Sequence, residues 1–130
     1  MSRRTGTFVL LTALLLTASV RAHHNMSAAF DFNDRVSLTG TLTKVDWRNP
    51  HIYLVLDVKR EGDQMEAWSI EGPSPSFFRA RDISSDDFKM AVGKTISAEA
   101  SRARDHSKSG LIRTVTLPDG KVISLCPQNC

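Results

Sequence analysis

Three histidines and one methionine have side chains of the types that bind transition metals. His23 and His24 are adjacent, and Met26 follows them closely. His51 lies further along the chain, directly after a proline. Imidazole suits Cu, Zn and Ni, a thioether favours Cu(I), and copper heads the affinity order of the divalent metals. The residue types therefore predict a transition-metal site with copper as the preferred ion. Its predicted ligands are His23, His24, His51 and Met26.

The segment before these histidines has the three parts of a secretory signal. Two arginines precede an apolar stretch over residues 8–16, and residues 20–22, Val-Arg-Ala, suit signal-peptidase cleavage. The apolar stretch is too short for a stable transmembrane helix, which takes about 20 residues. We expect residues 1–22 to be a cleaved signal peptide and the remaining chain to be periplasmic, without stable membrane insertion. An uncleaved membrane anchor is the alternative.

Cleavage after Ala22 would give His23 a free α-amine, which has a pKa of about 8 and is available as a donor near neutral pH. The amine and imidazole of one residue can chelate a metal in a closed ring. The arm from His23 to Val36 reaches up to roughly 43–47 Å when extended, so it can fold back onto the turn that contains His51. The alternative is a disordered terminus whose histidines bind nothing. His106, between an aspartate and a serine, is expected in a loop.

The net charge argues against a nucleic-acid binder. The chain has 17 Lys and Arg residues against 14 Asp and Glu residues. Arg3, Arg4 and Arg21 lie in the predicted signal, which contains no acidic residue, so the mature chain is formally neutral. A protein that binds nucleic acid without sequence preference needs a surplus of cations to displace counterions from phosphates.

Two cysteines close the sequence at Cys126 and Cys130. In an oxidising compartment two cysteines usually pair, so we expect a local disulfide. A soft metal site and disulfides to another chain are the alternatives. The spacing matches neither the haem-attachment motif nor the redox motif, both of which need Cys-x-x-Cys.

Alternation of apolar residues predicts strands over most of the mature chain. Val36, Leu38 and Leu42 share a face, and the phase slips at Thr43-Lys44, which is typical of a β-bulge. Further strands are expected at residues 51–59, 65–71, 95–101, 111–117 and 122–125. The Asn49-Pro50 pair separates the first strand from the second, because proline lacks the backbone N–H that pairing in a β-sheet requires.

One short helical segment is expected between the third and fourth strands. Pro75 suits a first helical turn, Ser84 can cap a helix from Ser85 to about Val92, and Gly93 can end it. The order predicts an all-β fold, a small five- to six-stranded OB-like barrel. A small open sheet or sandwich is the alternative. The predicted organisation is a signal peptide (1–22), an N-terminal arm (23–35), the barrel domain (36–125) and a cysteine-containing tail (126–130).

Five aromatic residues, Trp47, Tyr53, Trp68, Phe77 and Phe78, could stack on bases or sugars. Such residues more often fill a small barrel's interior or close its ends. We therefore expect Trp47 and Trp68 in the core.

The stretch "AHHNMSAAFDFNDRVSLTGTLTKVDWRNPH" and the later "VTLPDG" resemble a family of small exported bacterial proteins known as a domain of unknown function. Family members typically have Ala-His-His-Ser at the mature start, an Asn-Pro-His turn and a Leu-Pro-Asp-Gly ending. The chain differs from them at Asn25-Met26, around residues 83–94, and in its terminal cysteine tail. The resemblance covers nearly all of the mature chain, and it implies a fold and a compartment but no activity.

No common catalytic motif occurs in the sequence. It contains no phosphate loop, no Gly-x-Ser-x-Gly, no His-Glu-x-x-His and no dinucleotide fingerprint. Asp57, Glu66 and Glu71 lie on predicted strands, but their spacing does not indicate a pair of carboxylates for general acid–base catalysis. Enzyme activity is disfavoured, and a copper enzyme would need a substrate groove. We expect a periplasmic binding protein for copper or another transition metal. The alternative is a module that recognises a small ligand, an envelope component or a protein partner without metal.

Overall fold

Six β-strands make up about half of residues 26–125, the part of the chain that the computed structural model describes. Short helices precede the first strand and lie between the third and fourth. In chain order the elements are α1 (Met26–Ala29), β1 (Phe30–Asp46), β2 (Tyr53–Lys59), a 3₁₀ turn (Glu61–Asp63), β3 (Met65–Glu71), α2 (Pro75–Arg79), α3 (Ser85–Lys89), β4 (Thr95–Ala103), β5 (Ser109–Thr116) and β6 (Val122–Ser124).

Five of these strands close into a barrel. Their order is β3-β2-β1-β4-β5, and parallel pairing between β3 and β5 completes the ring. The other pairs in the ring are antiparallel, and β6 adds to the outer edge of β5. A five-stranded barrel of this kind is the OB architecture. The prediction of an all-β, OB-like barrel is confirmed.

The first strand is long because it pairs with two neighbours in turn. Its first part pairs with β4, its last part pairs with β2, and Thr41 has a partner on both sides. The register against β2 shifts between Leu42 and Lys44, so Thr43 is an extra residue and the predicted bulge is confirmed. Gly40 allows the strands to meet closely here, since a Cβ at this position would lie 2.3 Å from the carbonyl oxygen of Asp57.

The first strand starts at Phe30, earlier than the Val36 that the apolar pattern predicted. The additional part was predicted to be an arm because it is polar. Its acidic residues are matched by an arginine of β4 and by one that directly follows β4: Asp34 pairs with Arg102, and Asp31 pairs with Arg104, each at 3.2 Å. Cross-strand ion pairs therefore take the place of the apolar alternation that marks the rest of the strand.

The second and third strands form a hairpin with uninterrupted pairing from Tyr53–Glu71 to Lys59–Met65. The turn between them uses Gly62 at a φ of 71°, a conformation that glycine adopts without steric cost. Because the register is regular, alternate side chains of both strands enter the barrel. Leu54, Leu56, Trp68 and Ile70 are fully buried in this way.

Two short helices, α2 and α3, connect β3 to β4, where a single helical segment was predicted. They are separate because Asp82 adopts a φ of 54° between them and Ser84 starts a new helix. Ser84 and Asp87 form a reciprocal capping box at that start. The helices supply Phe78 and Phe88, both fully buried.

Aromatic rings close this side of the barrel. The ring of Trp47 lies 4.9 Å from that of Phe78 and 5.5 Å from that of Phe88. Trp68 is fully buried in the barrel, and Trp47 packs against the core while partly exposed. The expectation of a core position is confirmed for Trp68, whereas Trp47 lies at the edge of the core. Within residues 26–125, no helix has the length and apolar character needed to cross a bilayer.

Candidate functional site

A pocket of about 220 Å³ opens on the barrel where the start of the described chain meets the loop between β1 and β2. Its walls come from α1, β1, β4 and β5 and from the segments that follow β1, β3 and β6. The lining residues are Met26, Phe32, His51, Gly72, Pro73, Ser101, Leu111, Ile112, Arg113 and Leu125.

The burial of these residues gives the pocket a mouth and a floor. Phe32 is 37% exposed, and Met26 and His51 are partly exposed, so these three residues form the mouth. Ser101 and Arg113 are buried and lie on the floor. Most of the remaining lining is apolar, which is the usual composition of a small-molecule site.

Backbone hydrogen bonds hold His51 in place at the mouth. The N–H of Ile52 donates to the carbonyl of Pro73 at 3.2 Å, and the N–H of Gly72 donates to the carbonyl of Ile52 at 2.9 Å. Gly72 permits this approach because a Cβ there would lie 2.9 Å from the Ile52 side chain. The β1–β2 loop is thereby fastened to the chain just after β3.

The imidazole of His51 pairs with the carboxylate of Glu71 through Nδ1 and Oε1. The two side chains are 24% and 15% exposed, so the pair is largely shielded from solvent. A carboxylate that accepts the Nδ1 proton fixes the tautomer in which Nε2 carries the lone pair, and it orients the ring. Such a pair is the usual support of a histidine that binds a metal or accepts a proton.

Tyr53 lies directly opposite Glu71 in the β2–β3 hairpin and is the second donor to its carboxylate. Burial raises the pKa of the Tyr53 phenol, and the charge and hydrogen bond of Glu71 raise it further. The phenol therefore remains protonated at neutral pH and can keep donating to Glu71. The three side chains form a connected polar group beside the mouth.

Arg104 positions Met26 by fixing the short helix α1. Its Nε donates to the carbonyl of Ser27 at 2.8 Å, its Nη1 pairs with Asp31, and its backbone N–H donates to the carbonyl of Ala29 at 2.9 Å. The start of the described chain is therefore tied to the end of β4.

A β-bulge brings Arg113 onto the floor. The pairing of Glu99 with Thr114 and of Ala100 with Ile112 skips Arg113, so this residue is an extra one in β5. A bulge places two consecutive side chains on one face of a strand, and both Ile112 and Arg113 are buried. The Nη1 of Arg113 donates to the hydroxyl of Ser101 at 3.2 Å.

Comparison with protein families gives one result. The model of a family of unknown function, DUF6152, matches residues 12–113, which is most of the chain. The chain belongs to the DUF6152 family. The resemblance to an uncharacterised family is thereby confirmed. Neither the comparison with curated proteins nor that with solved structures gives a match.

Of the predicted metal ligands in this DUF6152 chain, Met26 and His51 line the same pocket. His23 and His24 lie outside the described residues, as do Cys126 and Cys130. Within residues 26–125, no three His, Cys, Asp or Glu side chains gather as a metal site would require. His106 is exposed in the β4–β5 loop, as predicted, and is not among the residues that line the pocket.

Sequence reasoning assigned three residues of the site no role in it: Glu71, Tyr53 and Arg113. Strict alternation with the buried Ile112 would place Arg113 on the outer face of β5, and only the bulge reverses this. Glu71 had a usable signal, since it is the last residue before the Gly72-Pro73 break and lies opposite Tyr53 in the predicted hairpin. Its pairing with His51 depends on how the β1–β2 loop folds, which periodicity does not predict.

Proposed function

We propose that the chain is an exported, periplasmic protein that binds a transition metal, with copper as the preferred ion, at the mouth of the pocket. One observation carries the proposal: Met26 and His51 line the same cavity although the whole of β1 separates them in sequence. The proposed ligands are His51, Met26, His23 and His24.

The support of His51 favours a ligand role. Metal-binding histidines almost always donate their other ring N–H to a carboxylate, a carbonyl or water, and this partner orients the ring. Glu71 occupies that position on Nδ1. In the proposal, Nε2 of His51 binds the ion, while Glu71 and Tyr53 orient the ring without touching the metal.

Chain connectivity supports the contribution of the other two histidines. His24 and His23 precede Met26 by two and three residues. An extended chain spans at most about 3.6 Å per residue, so their Cα atoms lie within about 7 Å and about 11 Å of the Met26 Cα. Both histidines therefore remain within reach of the pocket mouth wherever the preceding chain runs.

The donor types favour copper over other ions. Imidazole nitrogens and an α-amine suit Cu(II), and the thioether of Met26 suits Cu(I). Within residues 26–125, the carboxylate beside the mouth is that of Glu71, and it already accepts from His51 and Tyr53. Hard cations such as Mg²⁺ and Ca²⁺ prefer carboxylate and carbonyl oxygens, so we expect them to bind weakly.

The test is a copper titration of metal-free protein that starts at His23. We expect binding to weaken at least about tenfold in a version extended by one alanine before His23, and again in His51→Ala, because each change removes a ligand. His106→Ala is the matched control, since it removes an exposed imidazole that does not line the pocket. Calorimetry for Cu(II) and competition with a chromophoric Cu(I) chelator measure the affinities.

Tight binding that survives both the alanine extension and His51→Ala would contradict the proposal. Export is tested separately by mass spectrometry of the secreted chain, which we expect to begin at His23. The same mass, measured with and without reduction, tests the predicted Cys126–Cys130 disulfide. A different first residue would remove the amine ligand.

A further inference from the structure

We propose that the pocket binds a neutral, ring-sized aromatic molecule. The inference goes beyond the proposed function, because it uses the apolar walls of the pocket and needs no bound metal. It is therefore expected to hold in metal-free protein.

The walls of the pocket give the first support, because most of their side chains are apolar. Apolar surface that leaves water on binding drives association, and close-packed walls add dispersion contacts with the ligand. Such walls cannot hydrogen-bond to the hydroxyls of a sugar, and they offer no compensation to an ion that loses its water. The walls therefore select an apolar, uncharged ligand. The apolar residues that line the pocket are Met26, Phe32, Pro73, Leu111, Ile112 and Leu125.

The polar floor does not change this selection. Ser101 and Arg113 lie there, and the Nη1 of Arg113 donates to the Oγ of Ser101 at 3.2 Å. Buried polar groups in proteins are usually hydrogen-bonded within the structure in this way. The two side chains belong to the structure of the floor, and the proposed ligand needs no bond to either.

The size of the pocket sets the size of the ligand. Its volume is about 220 Å³. Apolar cavities of about 150 Å³ lined by leucine, isoleucine and phenylalanine bind benzene. This pocket is somewhat larger, so it accommodates a six-membered ring with one small substituent.

The mouth favours an aromatic ring over a saturated one. Phe32 is 37% exposed there, so part of its apolar surface faces water that a ligand can displace. Aromatic rings attract each other in offset-stacked and edge-to-face arrangements. Met26 lines the same mouth, and a thioether makes favourable contacts with aromatic rings. A neutral monocyclic aromatic compound therefore matches the walls, the volume and the mouth together.

The test compares four ring-sized probes on the full mature protein after removal of metal: benzyl alcohol, benzoate, benzylammonium and myo-inositol. We expect benzyl alcohol to bind with a dissociation constant on the order of 1 mM, which is reasonable for a ligand of about eight heavy atoms. Benzoate and benzylammonium should bind no more tightly, because a charge gains nothing from apolar walls. Inositol keeps the ring without its apolar surface and should not bind measurably. In NMR titrations with benzyl alcohol, the backbone amides of Leu111, Ile112 and Leu125 should show the largest shifts.

Leu111→Trp tests the location of the ligand. Leu111 lines the pocket and is only partly buried, so a larger side chain at this position fills the cavity. We expect the affinity for benzyl alcohol to fall at least about tenfold. Val122→Trp is the matched control, because Val122 is 63% exposed on another strand and is not among the residues that line the pocket.

Phe32→Leu tests the aromatic contact. It keeps an apolar side chain at the mouth and removes the ring, so the affinity for benzyl alcohol should fall about two- to tenfold. Phe77→Leu is its control, because Phe77 is a partly buried phenylalanine that does not line the pocket. Phe32 is exposed, so this variant tests the inference even if Leu111→Trp does not fold.

Several results would overturn the inference: no saturable binding of benzyl alcohol, tighter binding of a charged probe or of inositol, shifts that map outside the pocket, or unchanged affinity in either pocket variant. Binding that appears only in a chain ending at Leu125 would also overturn it, because the terminal residues would then be the natural occupant of the pocket. The same holds for binding that requires added copper. Failure of the copper titration leaves this test unaffected, so the two proposals are judged separately.

Discussion

Two glutamates on the third strand, Glu66 and Glu71, have the same chemistry but opposite surroundings. Glu66 lies near the start of β3 and accepts from Lys108 at 2.7 Å, from the Trp68 indole at 2.9 Å and from Arg60 at 3.0 Å. Glu71 ends the strand and accepts from His51 and Tyr53. One carboxylate is held by two fixed cations and an indole, and the other by an imidazole and a phenol.

The surroundings of Glu66 form a structural cluster. The cationic groups of Arg60, Arg102 and Lys108 lie 5.5–5.8 Å from the ring centroid of Trp68, within the range of cation–π attraction. Glu66 joins two of these cations to the indole that they cover. Its donors, first Lys108, then Trp68 and Arg60, lower its pKa from 4.5 to about 2.

The surroundings of Glu71 hold a histidine at the edge of a cavity. Neither His51 nor Tyr53 carries a permanent charge, so no fixed cation holds the Glu71 carboxylate in place. The comparison teaches that the donors around a carboxylate, more than the carboxylate itself, indicate whether it stabilises the fold or supports a reactive group.

The largest expected effect is on the free energy of unfolding, and it comes from the cluster around Glu66 near the start of β3. Trp68→Ala should lower the free energy of unfolding by about 3–5 kcal/mol, because it empties a fully buried site and removes the ring beneath three cations. Trp68→Phe should cost about 1–2 kcal/mol, since it keeps most of the packing and loses the bond to Glu66. Urea denaturation of metal-free protein measures both. Equal losses would mean that packing of the ring contributes nothing beyond the Nε1 hydrogen bond.

At the other end, Glu71→Gln should weaken copper binding about 10- to 100-fold, the usual effect of losing the carboxylate behind a metal-binding histidine. Glu66→Gln is the matched control on the same strand and should leave copper affinity at the wild-type value. If both variants bind copper like the wild type, the contrast between the two ends has no bearing on metal binding.

The pH dependence of the free energy of unfolding should reveal the contribution of the Glu66 carboxylate. Its pKa in the folded protein is depressed to about 2, so its contribution is present above the unfolded-state value of about 4.5 and disappears as the pH falls through this window. Stability should therefore decline less between about pH 4.5 and 2 in Glu66→Gln than in the wild type. Lys108→Met, which keeps the carboxylate and removes its strongest donor, should give an intermediate slope. Identical slopes in all three proteins would contradict the assignment.

The smallest expected effect is a shift in the titration of Tyr53, the single tyrosine of the chain. Its phenol should ionise above its ordinary pKa of 10.0, because burial and Glu71 both favour the neutral form. In Glu71→Gln the midpoint should fall part of the way back, since the burial remains. Ultraviolet absorbance of tyrosinate follows this one residue. A midpoint that is unchanged by Glu71→Gln would mean that the two side chains do not interact.

The barrel could be predicted from sequence because its core follows simple alternation. Val36, Leu38 and Leu42 marked the face of β1, and the phase slip at Thr43 marked its bulge. The start of β1 could not be predicted in this way, because Asp31 and Asp34 resemble a solvated arm until Arg104 and Arg102 are placed beside them.

The candidate site was predictable only in part. Histidine and methionine stand out by type, so Met26 and His51 were found before the fold was known. Arg113 depends on an irregular register between β4 and β5, and the pairing of Glu71 with His51 depends on the path of a loop. Both are long-range features that a one-dimensional pattern does not contain.

The curvature of β1 has a consequence for the whole barrel. A straight strand of its 17 residues would be more than about 50 Å long, yet the residues that flank it, Met26 and His51, meet at one cavity. A ligand bound by both residues would link the two ends of a chain segment that contains the entire strand. Because both residues meet only in the folded barrel, the binding free energy of the ligand would add directly to the free energy of unfolding.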